Sequence, residues 1–221
     1  MQDNTLVVTG MGAVTPIGIG IDAYWNNLVS GVCGVAPITR FDASDLPVRI
    51  AAEVSNFEFK QDISPQLARN MDIFAQYAFA AAQEALQDAN LERADRPERI
   101  GVVMGTAMDG MGLLAHTQAQ LAAGVLNRVG PRLVPMILGN MTAGLLAIAY
   151  DFHGPSMTLN TACSSGGDAL MTAAMLLRSG EADCMIVVGG ESILSPILIA
   201  SLAAAKALSR RNDAPAQASR P

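Results

Sequence analysis

NTACSSGGDAL, residues 160–170, sets one of the chain's three cysteines between a run of small polar residues and the start of an apolar helix. Residues 156–161 follow Gly154-Pro155 and read as a strand, while residues 164–178 carry apolar side chains at helical spacing. Cys163 therefore falls where a strand gives way to a helix. A structural cysteine normally sits among large hydrophobic neighbours, but Thr161, Ala162, Ser164 and Ser165 offer little bulk to shield this one. The pattern is that of a thiol meant to be reached.

The same alternation extends in both directions. Residues 6–9 are short and β-branched, and Gly10, Gly12, Pro16 and Gly18 mark a turn before a helix over 22–30. A strand over 49–54 precedes a helix over 64–88, where Ser64-Pro65 supplies a cap and a first-turn proline and Leu67, Met71, Phe74, Ala78 and Ala81 form a stripe. A strand over 100–104 runs into the loop GTAMDGMG, residues 105–112, and a helix over 112–123 follows. Beyond the elbow, 184–188 reads as a fully buried strand and 196–208 as a helix. Strands alternating with helices predict an α/β layer structure, its sheet largely parallel and helices on both faces. Residues 1–221 are expected to form one folding unit, or part of one, with 209–221, SRRNDAPAQASRP, as an exposed tail. The helices within SSGGDALMTAAMLLRSG (164–180) and VPMILGNMTAGLLAIAY (134–150) are apolar or small nearly all round. Each needs cover on two sides, the second from outside these residues or from a symmetry mate.

Composition narrows the function. The chain is 51% hydrophobic and only 15% charged, against roughly 25% charged in an average globular protein. Some of that apolar surface is expected to meet another chain. A net charge of −6 argues against a nucleic-acid surface, which needs a basic stripe, and leaves room only for a local basic patch toward an acidic partner. Cys33, Cys163 and Cys184 are odd in number and lack CxxC spacing, so neither a disulfide framework nor a metal site is expected. A reducing cytoplasm fits best, and MQDNTLVVTG lacks the features of a secretory signal. Residues 133–150 reach the lower limit of a membrane span, but Pro135, Gly139, Asn140 and Gly144 lie inside them. A buried helix is expected there, and no membrane.

At a strand-to-helix junction the free N–H groups of the first helical turn face the thiol, and the helix dipole favours a thiolate. The same N–H groups can hold the oxyanion formed when that sulfur attacks a thioester, and Gly166 and Gly167 leave room for an acyl group. A free cysteine that merely packs at a helix start has the same spacing. Only His116 and His153 are available as proton carriers. A predicted strand separates His153 from Cys163, and about seven extended residues span roughly 23 Å, so the two belong at opposite ends of it. No nucleophile–histidine–carboxylate set can be assembled. TGMGAVTPIG begins like a dinucleotide loop, but Thr15 stands where the third small residue belongs. Cys184 reads as a core residue and Cys33 as a loop thiol. Met108, Met111, Leu113 and Leu114 fit ordinary packing or the wall of an apolar tunnel.

VVTGMGAVTPIG (7–18), GTAMDGMG (105–112), GPSMTLNTACSSG (154–166), ADCMIVVGGES (182–192) and ALSRRNDAPAQASRP (207–221) occur in the order seen in one family. Together the chain resembles the β-ketoacyl-acyl carrier protein synthases of the type II elongating class, within the thiolase-like superfamily. The resemblance implies a thiolase-like layered α/β/α fold, the N-terminal half of a duplicated five-layer αβαβα architecture. It also implies a decarboxylating Claisen condensation, without a cofactor, on acyl and malonyl groups brought by acyl carrier protein. Carried over by position, Cys163 is the acylated nucleophile, its own N–H is part of the oxyanion hole, and Met108 gates the acyl pocket. Ile193, Leu198 and Leu202 would line that pocket, with Leu133 and Leu138 reaching in from a dimer partner. Arg69, Lys206 and Arg210 would be the local basic patch for the carrier. The family's two catalytic histidines, a lysine and a gating phenylalanine loop belong to the second half, which is expected to be absent here. The chain is then expected to need that complement, and a non-condensing partner or acyl-binding, carrier-docking subunit is the alternative. Fatty acid and polyketide pathways are both compatible.

Overall fold

The computed structural model describes residues 5–59, 63–91, 93, 95–125 and 129–219. In chain order its elements are β1 (Val14–Thr15), β2 (Gly18–Ile19), α1 (Ile21–Val29), β3 (Val35–Pro37), β4 (Ile50–Ala52), α2 (Pro65–Ala68), α3 (Ile73–Asp88), β5 (Ile100–Gly105), α4 (Met111–Ala122), α5 (Leu133–Ile137), α6 (Asn140–Tyr150), β6 (Ser156–Leu159), α7 (Ser165–Arg178), β7 (Cys184–Gly189) and α8 (Pro196–Ala204). They gather into two compact units. One comprises Met1–Gly12, Phe59–Gly110 and Gly130–Ser192, and the other Ala13–Glu58, Met111–Val129 and Ile193–Pro221.

The first unit is built on a parallel sheet in the order β6-β5-β7. Every residue of β5 is buried, and successive side chains point to opposite faces. Val102 and Met104 pack with Phe74, Phe79 and Leu86 of α3 and Leu145 and Leu146 of α6. Val103 instead packs with Ala169 and Ala173 of α7. Helices fall on both faces because the chain moves one way from β5 to β6 and back past β5 to β7, and right-handed crossovers then use opposite sides. This is the α/β layering read from the alternation. Gly105 is where α7 presses closest: a Cβ there would run into the Ser165 carbonyl. Gly105→Ala is therefore expected to push α7 off the sheet and cost roughly 2–3 kcal/mol, read as a drop in denaturant midpoint at unchanged slope.

Several elements differ from the sequence reading. Residues 6–9 form no strand: Val7 and Val8 are each 75% exposed, and no ladder partner lies beside them among the described residues. A lone strand has nothing to pair with. Instead Gly10 and Gly12 press on the α3 backbone at Ala85 and Ala81, and the Met11 N–H donates to Asp88 at 3.1 Å. The helix expected over 64–88 divides into α2 and α3, because Asp72 turns extended and its carboxylate caps the Ile73 N–H at 2.7 Å. Residues 133–150 divide into α5 and α6 at Leu138-Gly139, where a Cβ on Gly139 would strike the Asp109 carboxylate. The β7 strand is half-buried over most of its length rather than fully buried, since it is a sheet edge among the described residues. Cys184 is accordingly half-buried, and burial still pushes its thiol up.

The second unit has two antiparallel hairpins, β1-β2 beside α1 and β3-β4. Val48, Ile50, Ile199 and Ala203 form its core. The segment expected as a free tail is tied down here. Asn212 accepts from the Arg49 N–H at 2.8 Å and donates to the Pro47 carbonyl at 3.1 Å, and Ala218 packs on the core after a 3₁₀ turn at Pro215–Gln217. No helix among the described residues is long and apolar enough to cross a membrane. No group of three or more metal-ligating side chains occurs among them either.

Candidate active site at the carboxyl ends of the parallel strands

The register places Gly105, Leu159 and Gly189 side by side at the ends of β5, β6 and β7. The three loops that follow therefore leave the same edge of the sheet, the place where open α/β sheets put their sites. The Thr106 N–H donates to the Leu159 carbonyl at 3.1 Å, and the Gly190 N–H to that of Gly105 at 3.2 Å.

After β6 the chain turns through Ala162, which has a left-handed φ of 56°, into a 3₁₀ turn at Ala162–Ser164 and then α7. A non-glycine residue in that region costs roughly 1–2 kcal/mol, so the surroundings must hold it. Ser165, only 3% exposed, does the holding. Its hydroxyl accepts the Thr161 N–H at 2.9 Å and faces the carbonyls of Ala162 at 2.6 Å and Thr106 at 3.0 Å. One hydroxyl proton serves those two carbonyls, so the elbow and the β5 loop share a single tie. Asp168, in the first turn of α7, accepts from the hydroxyls of Thr161 and, at 3.0 Å, Ser164. These two hydroxyls hold its carboxyl below the usual range, the Thr161 bond contributing most.

Cys163 emerges from this frame exposed, and its N–H has no acceptor among the described residues. A thiol and a free N–H on one residue at a helix start are what thioester attack requires. A Cβ on Gly166 or Gly167 would meet nothing within 4 Å, so the start of α7 is open at both glycines. His153 lies at the far end of β6, exposed, with Nε2 2.8 Å from Asp151 Oδ1. His116 is exposed on α4 in the second unit. Neither is placed beside the thiol in its own unit.

The β5 loop carries Met108, half-buried, whose N–H donates to Glu191 Oε2 at 2.8 Å. The Ala107 N–H reaches the same oxygen at 2.9 Å, and Asn160 Nδ2 donates to the Ala107 carbonyl at 3.1 Å. Next to it Asp109, at φ 50°, has Oδ1 buried without a hydrogen bond. Burial, and then the nearby Glu191 charge, push its carboxyl up. A carboxyl whose pKa is raised by folding costs stability as pH climbs above about 4, the unfolded value. Asp109→Asn should raise the melting temperature at neutral pH, with the gain shrinking to nothing as pH falls and both forms become neutral. A gain that persists unchanged into acid would contradict this cause.

The remaining expected residues are distributed as follows. Leu133 is half-buried on α5 and Leu138, just past it, is 44% exposed, both in the first unit with Cys163 and Met108. Ile193, Leu198 and Leu202 belong to the second unit, where Leu198 is buried and the other two half-buried. Arg69 is exposed in the first unit, and Lys206 and Arg210 are exposed in the second. Sequence reading passed over Asn160, Ser165, Asp168 and Glu191. The signal for Glu191 was present: a lone carboxylate directly after a strand-ending Gly189-Gly190 has no apolar packing task.

Residues 3–221 match the family "Beta-ketoacyl synthase, N-terminal domain". The chain belongs to that family. It is 40% identical to the 3-oxoacyl-[acyl-carrier-protein] synthase 2 of Synechocystis, over 100% of this chain and 53% of the relative. The synthase of the same description from Coxiella burnetii is 37% identical, over 100% of this chain and 54% of the relative. Among solved structures, a β-ketoacyl synthase from Burkholderia phymatum superposes with a TM-score of 0.85 at 27% identity, covering 97% of this chain and 53% of that one. A type II polyketide ketosynthase solved with its acyl-carrier protein and a bound hexaketide gives a TM-score of 0.71 at 25% identity, covering 89% and 54%. The chain thus spans about half the length of the ketosynthases it matches. The layered α/β fold is that of these thiolase-like enzymes.

Proposed function

We propose that these residues are the nucleophile-bearing half of an elongating 3-oxoacyl-acyl carrier protein synthase. The observation that carries this is the exposed Cys163 on a tied elbow, with its own N–H free, in a member of the β-ketoacyl synthase family. In the first step the Cys163 sulfur attacks the thioester carbon of an acyl group on the carrier's phosphopantetheine. The new C–S bond forms, the oxyanion faces the Cys163 N–H, and collapse expels the carrier thiol, which takes up the thiol proton. In the second step malonyl-carrier loses CO₂, and the electron pair of the broken C–C bond attacks the acyl carbon on Cys163. Collapse frees the Cys163 thiolate and leaves a β-ketoacyl chain on the carrier.

On the family resemblance, Met108, Ile193, Leu198 and Leu202 are proposed to border the acyl chain, with Leu133 and Leu138 offered across a homodimer. Arg69, Lys206 and Arg210 are proposed to meet the acidic carrier. Decarboxylation is assigned to groups of a complementing second half, because neither histidine of this chain stands by the thiol in its unit. The exposed apolar side chains of α7, Leu170, Met171 and Met175, each more than half exposed, fit cover by that half. Residues 1–221 then act as one half-domain. Three free thiols and the carrier chemistry are in keeping with a cytoplasmic enzyme. Incubation of the chain with acyl-carrier protein, followed by peptide mass spectrometry, tests the first step: the acyl mass is expected on Cys163. The absence of any acyl adduct would leave a structural or docking module.

A further inference from the structure

Glu191 carries an arrangement that the nucleophile itself does not explain. Its Oε2 accepts the N–H groups of Ala107 and Met108 at 2.9 and 2.8 Å and faces the Thr106 hydroxyl at 3.3 Å, while Oε1 accepts the Ser192 N–H at 3.1 Å. Two successive backbone N–H groups converging on one point form a concavity suited to an anion. Here the anion is built in. The Ala107 and Met108 N–H groups are therefore spent and cannot hold a reaction oxyanion, and a carboxylate engaged at both oxygens is poorly placed to act as a base.

We infer that Glu191 is the positioning residue that sets the Met108 loop against the nucleophile elbow. It grips the loop from the β7 side. The elbow grips the same loop from the β6 side, through Asn160 Nδ2 on the Ala107 carbonyl at 3.1 Å and the Ser165 hydroxyl 3.0 Å from the Thr106 carbonyl. The loop is thus pinned at successive residues by groups from both neighbouring strand ends. Bonds from backbone N–H groups to a carboxylate are stronger than neutral ones, so the grip on the Met108 side depends chiefly on Glu191. The catalytic meaning of this clamp, a fixed border for an acyl group on Cys163, rests on the function proposed above. The clamp itself does not.

The test is amide hydrogen exchange on the wild-type chain, Glu191→Ala and Glu191→Gln, with iodoacetamide labelling of Cys163 in parallel. In Glu191→Ala the Ala107 and Met108 amides are expected to exchange about tenfold faster or more, while the Val102, Val103 and Met104 amides of β5 keep their rates. Gln retains one acceptor oxygen and is expected to restore most of the protection. Unchanged exchange at Ala107 and Met108 would overturn the proposal, as would equal acceleration throughout β5, which marks general destabilisation. Equal loss with Gln and Ala would also overturn it. The labelling arm reports on the nucleophile separately: an inert Cys163 speaks against the proposed function and leaves the exchange result standing.

Discussion

Cys163→Ala is expected to abolish acyl transfer from acyl-carrier protein to this chain, a loss of about a thousandfold or more. Cys33 is exposed as well, so accessibility alone does not select the acylated thiol. What distinguishes Cys163 is its frame: a left-handed Ala162, the Ser165 tie beneath, and the helix α7 opening directly behind it. Cys184 cannot substitute, because burial holds its thiol protonated. The variant is expected to fold, since the side chain removed is exposed and makes no hydrogen bond that shapes the elbow. An unchanged melting temperature with no acyl mass on any peptide is the outcome that assigns the role. Transfer surviving in the variant would move the nucleophile elsewhere.

The second large effect concerns condensation. This chain alone is expected to accept an acyl group and stop there, releasing no CO₂ from malonyl-carrier above background. Addition of the separately produced C-terminal half of a 3-oxoacyl-acyl carrier protein synthase is expected to raise CO₂ release and β-ketoacyl product by a hundredfold or more, about what positioned acid–base groups contribute. The carboxylates near the elbow do not fill that role: Asp168 is held ionised by two hydroxyls, and Glu191 is bound to the β5 loop. Combining the second half with Cys163→Ala separates the requirements, since decarboxylation needs the added groups whereas chain extension needs the thiol. Product formation by the unaided chain would show that these residues contain a proton-transfer apparatus not seen at the elbow.

Much of the sheet was legible because its strands are local patterns. Residues 100–104 and 184–188 are unbroken apolar runs, and the strand–elbow–helix around Cys163 is written in consecutive residues. What escaped depends on partners distant in sequence. Residues 6–9 have the composition of a strand, yet a strand exists only as a ladder, and none of the described residues supplies the neighbour. The breaks at Asp72 and Gly139 arise from a cap and from a carboxylate thirty residues upstream in the fold's own loop, neither of which interrupts the hydrophobic period. The site followed the same rule. Cys163 was visible from its neighbours, whereas Glu191 acquires its meaning only once β7 lies beside β5 and brings it to the Ala107 and Met108 amides, more than eighty residues away.

The most direct measurement is competitive alkylation of the folded chain at neutral pH with limiting iodoacetamide, the three thiols being quantified by peptide mass spectrometry. Cys163 is expected to be modified several-fold faster than Cys33, which shares its exposure but not its place at a helix start, with Cys184 slowest of all. Equal rates at Cys163 and Cys33 would mean that the elbow confers nothing beyond access to solvent, and the assignment of Cys163 as the nucleophile would fall with it.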